Sequence, residues 1–567
     1  LKFMNIFKYS LKITTQILFV IIFFSTLQAK NLDKFNTGGY ISDYFSGILL
    51  LNNNNYEESY KFLKGLNGLE SNHSNYSSKY LFSLVNLGKF NEAFKYAKKL
   101  EKEKLDNFES NLIIGVYYIK EKQLDLAQKY FLKIKNNNSR FILNNFVSNS
   151  LYNWSSFDKL DLTGAQNKID IMDSRFENLK NIQNTFLHCY FKSQKTEFMF
   201  NTLITNTKIN FSRYNYFFAS FLENSGKINQ ANEVITSALR LYPRNLLLNQ
   251  YKYNLNKKQK DNYFNCGNRG HVVAEILYIT ANALSSQSIY NYSNFYLNLA
   301  KYLNKNFFSF NTLLAENFYK INNYKKARKI YSDLGSNNEA FFWYASKQNA
   351  SILIKEKKKE KAIKLLTNAY EKLHQKNIYE TYDYANFLKN NDKFENSITL
   401  YNQVIKKIKT SHPLYPEATE GRGVAFERIG KWDQAEKDLI NSLKASPKQA
   451  YVINYLAYSW IEKGIKIEKS LNMLQEANNL KSNDPYIIDS LGWALFKLKR
   501  YKDAKKYLQM AVKLMPADPV VSDHFGDILW KNENKIQARY YWNYALNLKD
   551  AKEDLKDNIK KKLIFGL

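Results

Sequence analysis

The sequence predicts an all-α fold, a right-handed superhelical solenoid of about fourteen helix hairpins. Three observations predict it. Small residues recur at a nearly constant step: Ser59, Ala93 and Ala127; then Ala231; then Ser293, Ala327, Ala362 and Ser397; then Ala435, Ser470, Ala504 and Ala538. Most steps are 34 or 35 residues, a period that marks stacked helical units. Only 7 Pro and 19 Gly occur in 567 residues, which suits helices joined by short turns. Tyr and Phe number 43 and 39, enough large rings to fill many helix–helix seams. The chain is too long for one hydrophobic core, but units that pack only on their neighbours do not require one.

Residues 1–30 stand outside the array. Lys2, Lys8 and Lys12 precede a continuous apolar run over 17–24, and Ala29 follows it. Basic, apolar, then small is the order of a secretory signal, and the run is shorter than the roughly 20 apolar residues of a spanning helix. Leu27 stands where a small residue is preferred, so an uncleaved N-terminal anchor is the alternative. No cysteine stands directly after the run, so no lipidated N-terminus is expected. The array is therefore expected in the periplasm, or anchored to the inner membrane and facing the periplasm.

Residues 31–243 are expected to form a first array. Its register shows at Gly115, Tyr118, Ala127 and Phe131, and again at Ala219, Leu222, Gly226, Ala231, Ile235, Ala238 and Pro243. From Ala127 to Ala231 is 104 residues, close to three periods, so two degenerate units are expected between them. From Ala231 to Ser293 is 62 residues. The excess falls in a polar, glycine-bearing stretch, read as an insertion or joint over 244–275. A second array is expected over 276–550, and the lysine-rich residues 551–567 as a basic capping helix.

The clearest unit reads Leu491, Gly492, Leu495, Tyr501, Ala504, Leu508, Ala511 and Pro516. Gly492 and Ala504 let two helices approach, Leu495 and Leu508 fill the seam, and Pro516 ends the second helix. The same register recurs at Gly423, Phe426, Gly430, Ala435, Leu439 and Pro447, and at Gly526, Leu529, Ala538, Trp542 and Ala545. This spacing resembles the tetratricopeptide repeat, over nearly all of residues 40–550. The last units are similar to tetratricopeptide proteins of the proteobacterial envelope, among them periplasmic adaptors that bring cell-wall hydrolases to a processing protease. The resemblance implies an adaptor whose partner is a protein or peptide, such as an envelope protease or a cell-wall enzyme.

In such arrays the first helix of each unit lines the concave face. Counting from Ala457, Gly492 and Gly526 gives Asn454, Tyr458, Asp489, Trp493, Asp523, Asp527 and Trp530 as expected partner contacts, with Ile461 and Glu462 in the same strip. Aromatic rings supply contact area, and Asn and Asp can bond a peptide backbone. The alternative is that the rings pack inside the array. Asp484-Pro485 and Asp518-Pro519 are read as helix caps, and His524 as an ordinary surface histidine.

Net charge is +31. It admits a second function, an envelope polymer-handling protein in polysaccharide export or cell-wall assembly. Lysine spread over outer helix faces gives the same charge without a site. An extracytoplasmic array makes nucleic acid an unexpected partner, and membrane contact is expected only if the N-terminal segment is uncleaved. Cys189 and Cys266, 77 residues apart, are expected as two unpaired thiols. A disulfide, or a zinc site with His188 and His271, is the alternative. No phosphate loop, nucleophile elbow or metal-ligand helix occurs. Neither an enzyme nor a bound cofactor or metal is expected.

Overall fold

A computed structural model describes residues 38–136, 142–206, 212–259, 263–374 and 376–567. The signal or anchor expected over 1–30 lies outside the described residues. Among these residues there are 30 α-helices and no strand. No described helix is long and apolar enough to cross a membrane. The helices pair in sequence as hairpins, from Gly38–Asn52 with Tyr56–Lys64 to Pro519–Lys531 with Lys535–Asn547. Leu246–Asn256 and the C-terminal Glu553–Phe565 stand outside this pairing, which leaves fourteen hairpins.

The periodic small residues have a single physical role. All twelve of them, from Ser59 to Ala538, are 0% exposed. Each sits where the second helix of a hairpin crosses the first. At the facing position of one unit, a methyl group on Gly492 would lie 2.7 Å from Leu508 Cγ, closer than packed carbons tolerate. Proline and aspartate act as the sequence implies. The helices stop at Leu241, Ala445 and Leu514, just ahead of Pro243, Pro447 and Pro516. Asp518 Oδ1 accepts from the backbone N–H groups of Val520 and Val521 at 2.8 and 3.1 Å.

The two degenerate units are present as Ile142–Ser156 with Leu162–Asp170 and Glu177–Tyr190 with Thr196–Ile204. Buried Ala165 keeps the small anchor in the first. Buried Thr196, 35 residues before Ala231, replaces it in the second.

The structure differs from the expected joint at 244–275. The first compact unit runs to Leu365 and the second begins at Leu366. One apolar core spans Tyr44 to Ile352 without a break at that stretch. The reason is that the first array is filled by the chain that follows it. Helix Arg269–Ser286 packs on Ile142–Ser156 and Phe108–Lys120, and Tyr290–Leu303 packs on Ser74–Asn86 and Phe108–Lys120. Phe82 stacks on Phe295 at 4.2 Å, and Tyr216 on Phe307 at 5.7 Å. Asn294 Nδ2 donates to Tyr56 Oη at 3.1 Å. The inner face of the N-terminal array is thus occupied by its own chain, and many of the Tyr and Phe rings are used there.

The expectation of two unpaired thiols is corrected as well. Cys189 and Cys266 form a disulfide, their Cα atoms 5.9 Å apart. It ties the segment before Arg269 to helix Glu177–Tyr190, with Phe264 buried against Phe217 at 4.3 Å. No zinc set remains, and among the described residues no cluster of His, Cys, Asp and Glu could hold a metal. A Cys189→Ser/Cys266→Ser double variant should lose about 2–5 kcal/mol of stability. The urea midpoint of the full chain checks this: the oxidised parent should lose stability on reduction, and the variant should not respond.

Candidate partner-binding groove

The inner helices of the C-terminal unit are Ile378–Lys389, Leu414–Arg428, Ala450–Glu462, Pro485–Lys497 and Pro519–Lys531. Residues at one repeat position form a row across them: Glu420, Asn454, Asp489 and Asp523. All seven expected contacts lie on the last three of these helices. The structure assigns them different states.

Asp523 and Asp527, one helical turn apart, are already engaged. Lys562, on the C-terminal helix Glu553–Phe565, reaches both carboxylates, with all four oxygens 2.7–2.8 Å from its Nζ. Trp542 Nε1 also donates to Asp527 Oδ1 at 2.8 Å. Burial and the adjacent Asp523 push the Asp527 carboxyl up to about 6, against the pull of Lys562. Trp530 is half-buried, 5.4 Å from Trp542 and against Gly566. The C-terminal helix lays its own lysine in the acidic seat. Ile559 is its fully buried side chain.

Asp489 and Trp493 belong to a buried cluster. Asp489 Oδ2 is 2.9 Å from Nδ1 of His524, and His524 stacks on Trp493 with ring centroids 3.9 Å apart. Trp493 packs on Phe496 at 4.7 Å and donates from Nε1 to Glu462 Oε1 at 2.6 Å. His524 is accordingly not a surface histidine. It is 5% exposed. Burial opposes its charging, but Asp489, Asp523 and Asp527 outweigh that and hold its pKa above the usual histidine value. Its position, two residues before Gly526 as buried Ser490 is two before Gly492, was the signal that could have placed it. Ile461 is also buried in the core, not in the strip.

Four acceptors remain. Asn454 Oδ1 and Asp489 Oδ1 are buried without a hydrogen-bond partner among the described residues. Tyr458 is half-buried, its hydroxyl pKa raised by burial and then by Glu462, Asp489, Asp523 and Asp518. Glu420 is also half-buried, and burial raises its carboxyl against the pull of Lys389. At this end a cavity of about 450 Å³ is lined by Lys389, Asn390, Asp392, Phe394, Val424, Arg428 and Lys552. The inner face is thus an acidic and aromatic floor with a basic mouth. It offers hydrogen-bond acceptors and ring faces rather than a nucleophile–base pair.

Fold and floor together define a helical-repeat protein with an inner face suited to contact. Residues 304–551 match the family described as Tetratricopeptide repeat. A curated TPR repeat-containing protein of Pseudomonas aeruginosa is 26% identical over 187 residues, 32% of this chain and 30% of the relative. The match thus spans less than a third of that relative's length. Among solved structures, a tetratricopeptide repeat protein from Parabacteroides merdae is 16% identical with a TM-score of 0.37, over 45% of this chain and 97% of the other. YrrB, described as a TPR protein with an unusual peptide-binding site, is 18% identical with a TM-score of 0.27, over 34% and 97%. Tetratricopeptide repeats in general mediate protein–protein interaction.

Proposed function

We propose that this protein is a non-enzymatic scaffold or adaptor of the bacterial envelope that holds a protein or peptide partner on the inner face of its C-terminal unit. The observation that carries the reading is the floor itself: Asn454, Tyr458 and the unbonded oxygen of Asp489 lie side by side on consecutive inner helices. Among the described residues of the N-terminal unit, the inner face is covered by the unit's own later helices. An oxidising compartment is supported by the Cys189–Cys266 disulfide and by the basic, apolar, small order of residues 1–30. The polymer-handling alternative is less favoured, since the inner row is acidic although the chain is basic.

The test is capture of proteins from envelope extract on the chain beginning at residue 31, beside an Asn454→Ala/Tyr458→Ala variant. These positions are more open than Trp493 and Asp489, whose removal would cost packing and a buried ion pair. Selective loss of captured proteins, with an unchanged thermal melt, is the expected result. Equal capture by both forms removes the inner face from the reading. Retention of anionic polymer by both, released by salt, would favour the alternative.

A further inference from the structure

We propose that the inner face of the C-terminal unit takes an extended basic segment of its partner, with a cationic side chain at every third residue. This rests on the inner-face reading above and adds the charge and spacing of what binds. Glu420, Asn454, Asp489 and Asp523 follow one another at 34, 35 and 34 residues, one on each of the last four inner helices. Helix Ala450–Glu462 touches Pro485–Lys497, which touches Pro519–Lys531. Axes of packed helices lie roughly 8–10 Å apart, and a segment in the extended polyproline II conformation rises about 3.1 Å per residue with three residues per turn. Every third side chain of such a segment faces the same way, and three residues step from one row position to the next.

The last position displays the chemistry. Asp523, together with Asp527, holds the Lys562 ammonium of the chain itself. One hairpin earlier stands the same acid with one oxygen unfilled: Asp489 is 5% exposed and, among the described residues, its Oδ1 has no donor. His524 faces only the other oxygen. One hairpin further, Asn454 Oδ1 is likewise unbonded, and Glu420 follows. A buried acceptor without a donor is costly, and lysine or arginine makes the strongest hydrogen bonds to a carboxylate. The rest of this +31 chain repels a basic segment, so the row selects it, not bulk charge. Lys562 already fills the final place, which leaves Glu420 to Asp489 for the partner.

The experiment is fluorescence anisotropy on the chain beginning at residue 31, with two labelled dodecapeptides of glycine, serine and alanine. One carries three lysines at every third position and the other three lysines at every second position. The first should bind at least about tenfold tighter. Asp489→Asn and Glu420→Gln should each abolish that preference. If Asp489→Asn lowers the thermal melt, the half-exposed Glu420→Gln decides alone. Equal binding of the two peptides overturns the proposal, as does a preference that survives both variants. If partner capture still depends on Asn454 and Tyr458 while the peptides bind alike, the spacing is wrong and the inner-face reading stands.

Discussion

Replacing Arg213 with alanine should cost about 3–5 kcal/mol of stability in the N-terminal unit, the usual effect of stripping one partner from a buried ion pair. Arg213 Nε and Nη2 donate to Glu275 Oε1 and Oε2 at 2.7 and 2.8 Å, and Nη1 donates to Ser309 Oγ at 2.6 Å. The guanidinium also lies 4.0 Å from the centre of the Tyr278 ring. Glu275 is fully buried, and burial raises its carboxyl pKa against the opposing pull of Arg213. One side chain thus fastens helix Ser212–Asn224 to the two helices, Arg269–Ser286 and Ser309–Lys320, that pack inside the array. Without it a carboxyl is left in an apolar interior. Hydrogen exchange across 212–224 and 269–286 is the measurement. Protection should fall steeply in Arg213→Ala and partly return in Arg213→Met/Glu275→Leu, where no charge remains. Unchanged exchange in the single variant would mean that ring packing alone holds the interior closed.

The array was legible because its signal is local and repeated. Every hairpin needs a small residue at one crossing, and a step of 34 or 35 exposes it even where the rest of the unit has drifted. The degenerate units were counted from spacing for the same reason, although Thr196 replaces the small anchor. Most turns within the hairpins were not legible from glycine. Gly226 and Gly430 adopt positive φ at such turns, but Lys499 and Glu533 do so at 58° and 62°, and nothing in those residue types announces it. The filling of the N-terminal array was invisible for a different reason. The contacts between Phe82 and Phe295, or Arg213 and Glu275, join residues far apart in sequence, and repeat periodicity says nothing about them. The disulfide is another such long-range pairing.

On the candidate site, repeat position could not distinguish an open side chain from an engaged one. Asp489 and Asp523 have the same register and the same residue type. One keeps an unbonded oxygen and the other is neutralised by Lys562, a residue outside the repeat. Trp493 illustrates the same ambiguity. It was expected as a partner contact, and its ring is held by His524, Phe496 and Glu462.

Lys562→Met should destabilise the C-terminal unit by about 3–5 kcal/mol at pH 7.5 and by less at pH 5. The lysine is 14% exposed and neutralises two carboxylates that are 7% and 3% exposed, so its loss leaves Asp523 and Asp527 together in a buried site. The sign of the pH effect follows from Asp527. Its folded pKa of about 6 lies above the ordinary value of 3.8. Its contribution is therefore fully present below that ordinary value and is lost as pH rises through about 6. Lys562 pulls this pKa down, so removing it moves the pKa higher still and enlarges the loss near neutrality. His524, also raised, contributes with the same sign, present below 6.5 and lost as pH climbs through its folded pKa. The variant should thus fall further behind the parent as pH increases from 5 to 7.5, as read from urea midpoints at both values. Lys562→Arg should restore most of the difference, because it returns the charge. A penalty that does not change with pH would locate the hold of the C-terminal helix in Ile559 and its apolar neighbours, and would remove Lys562 as the working example of a cation in the acidic row.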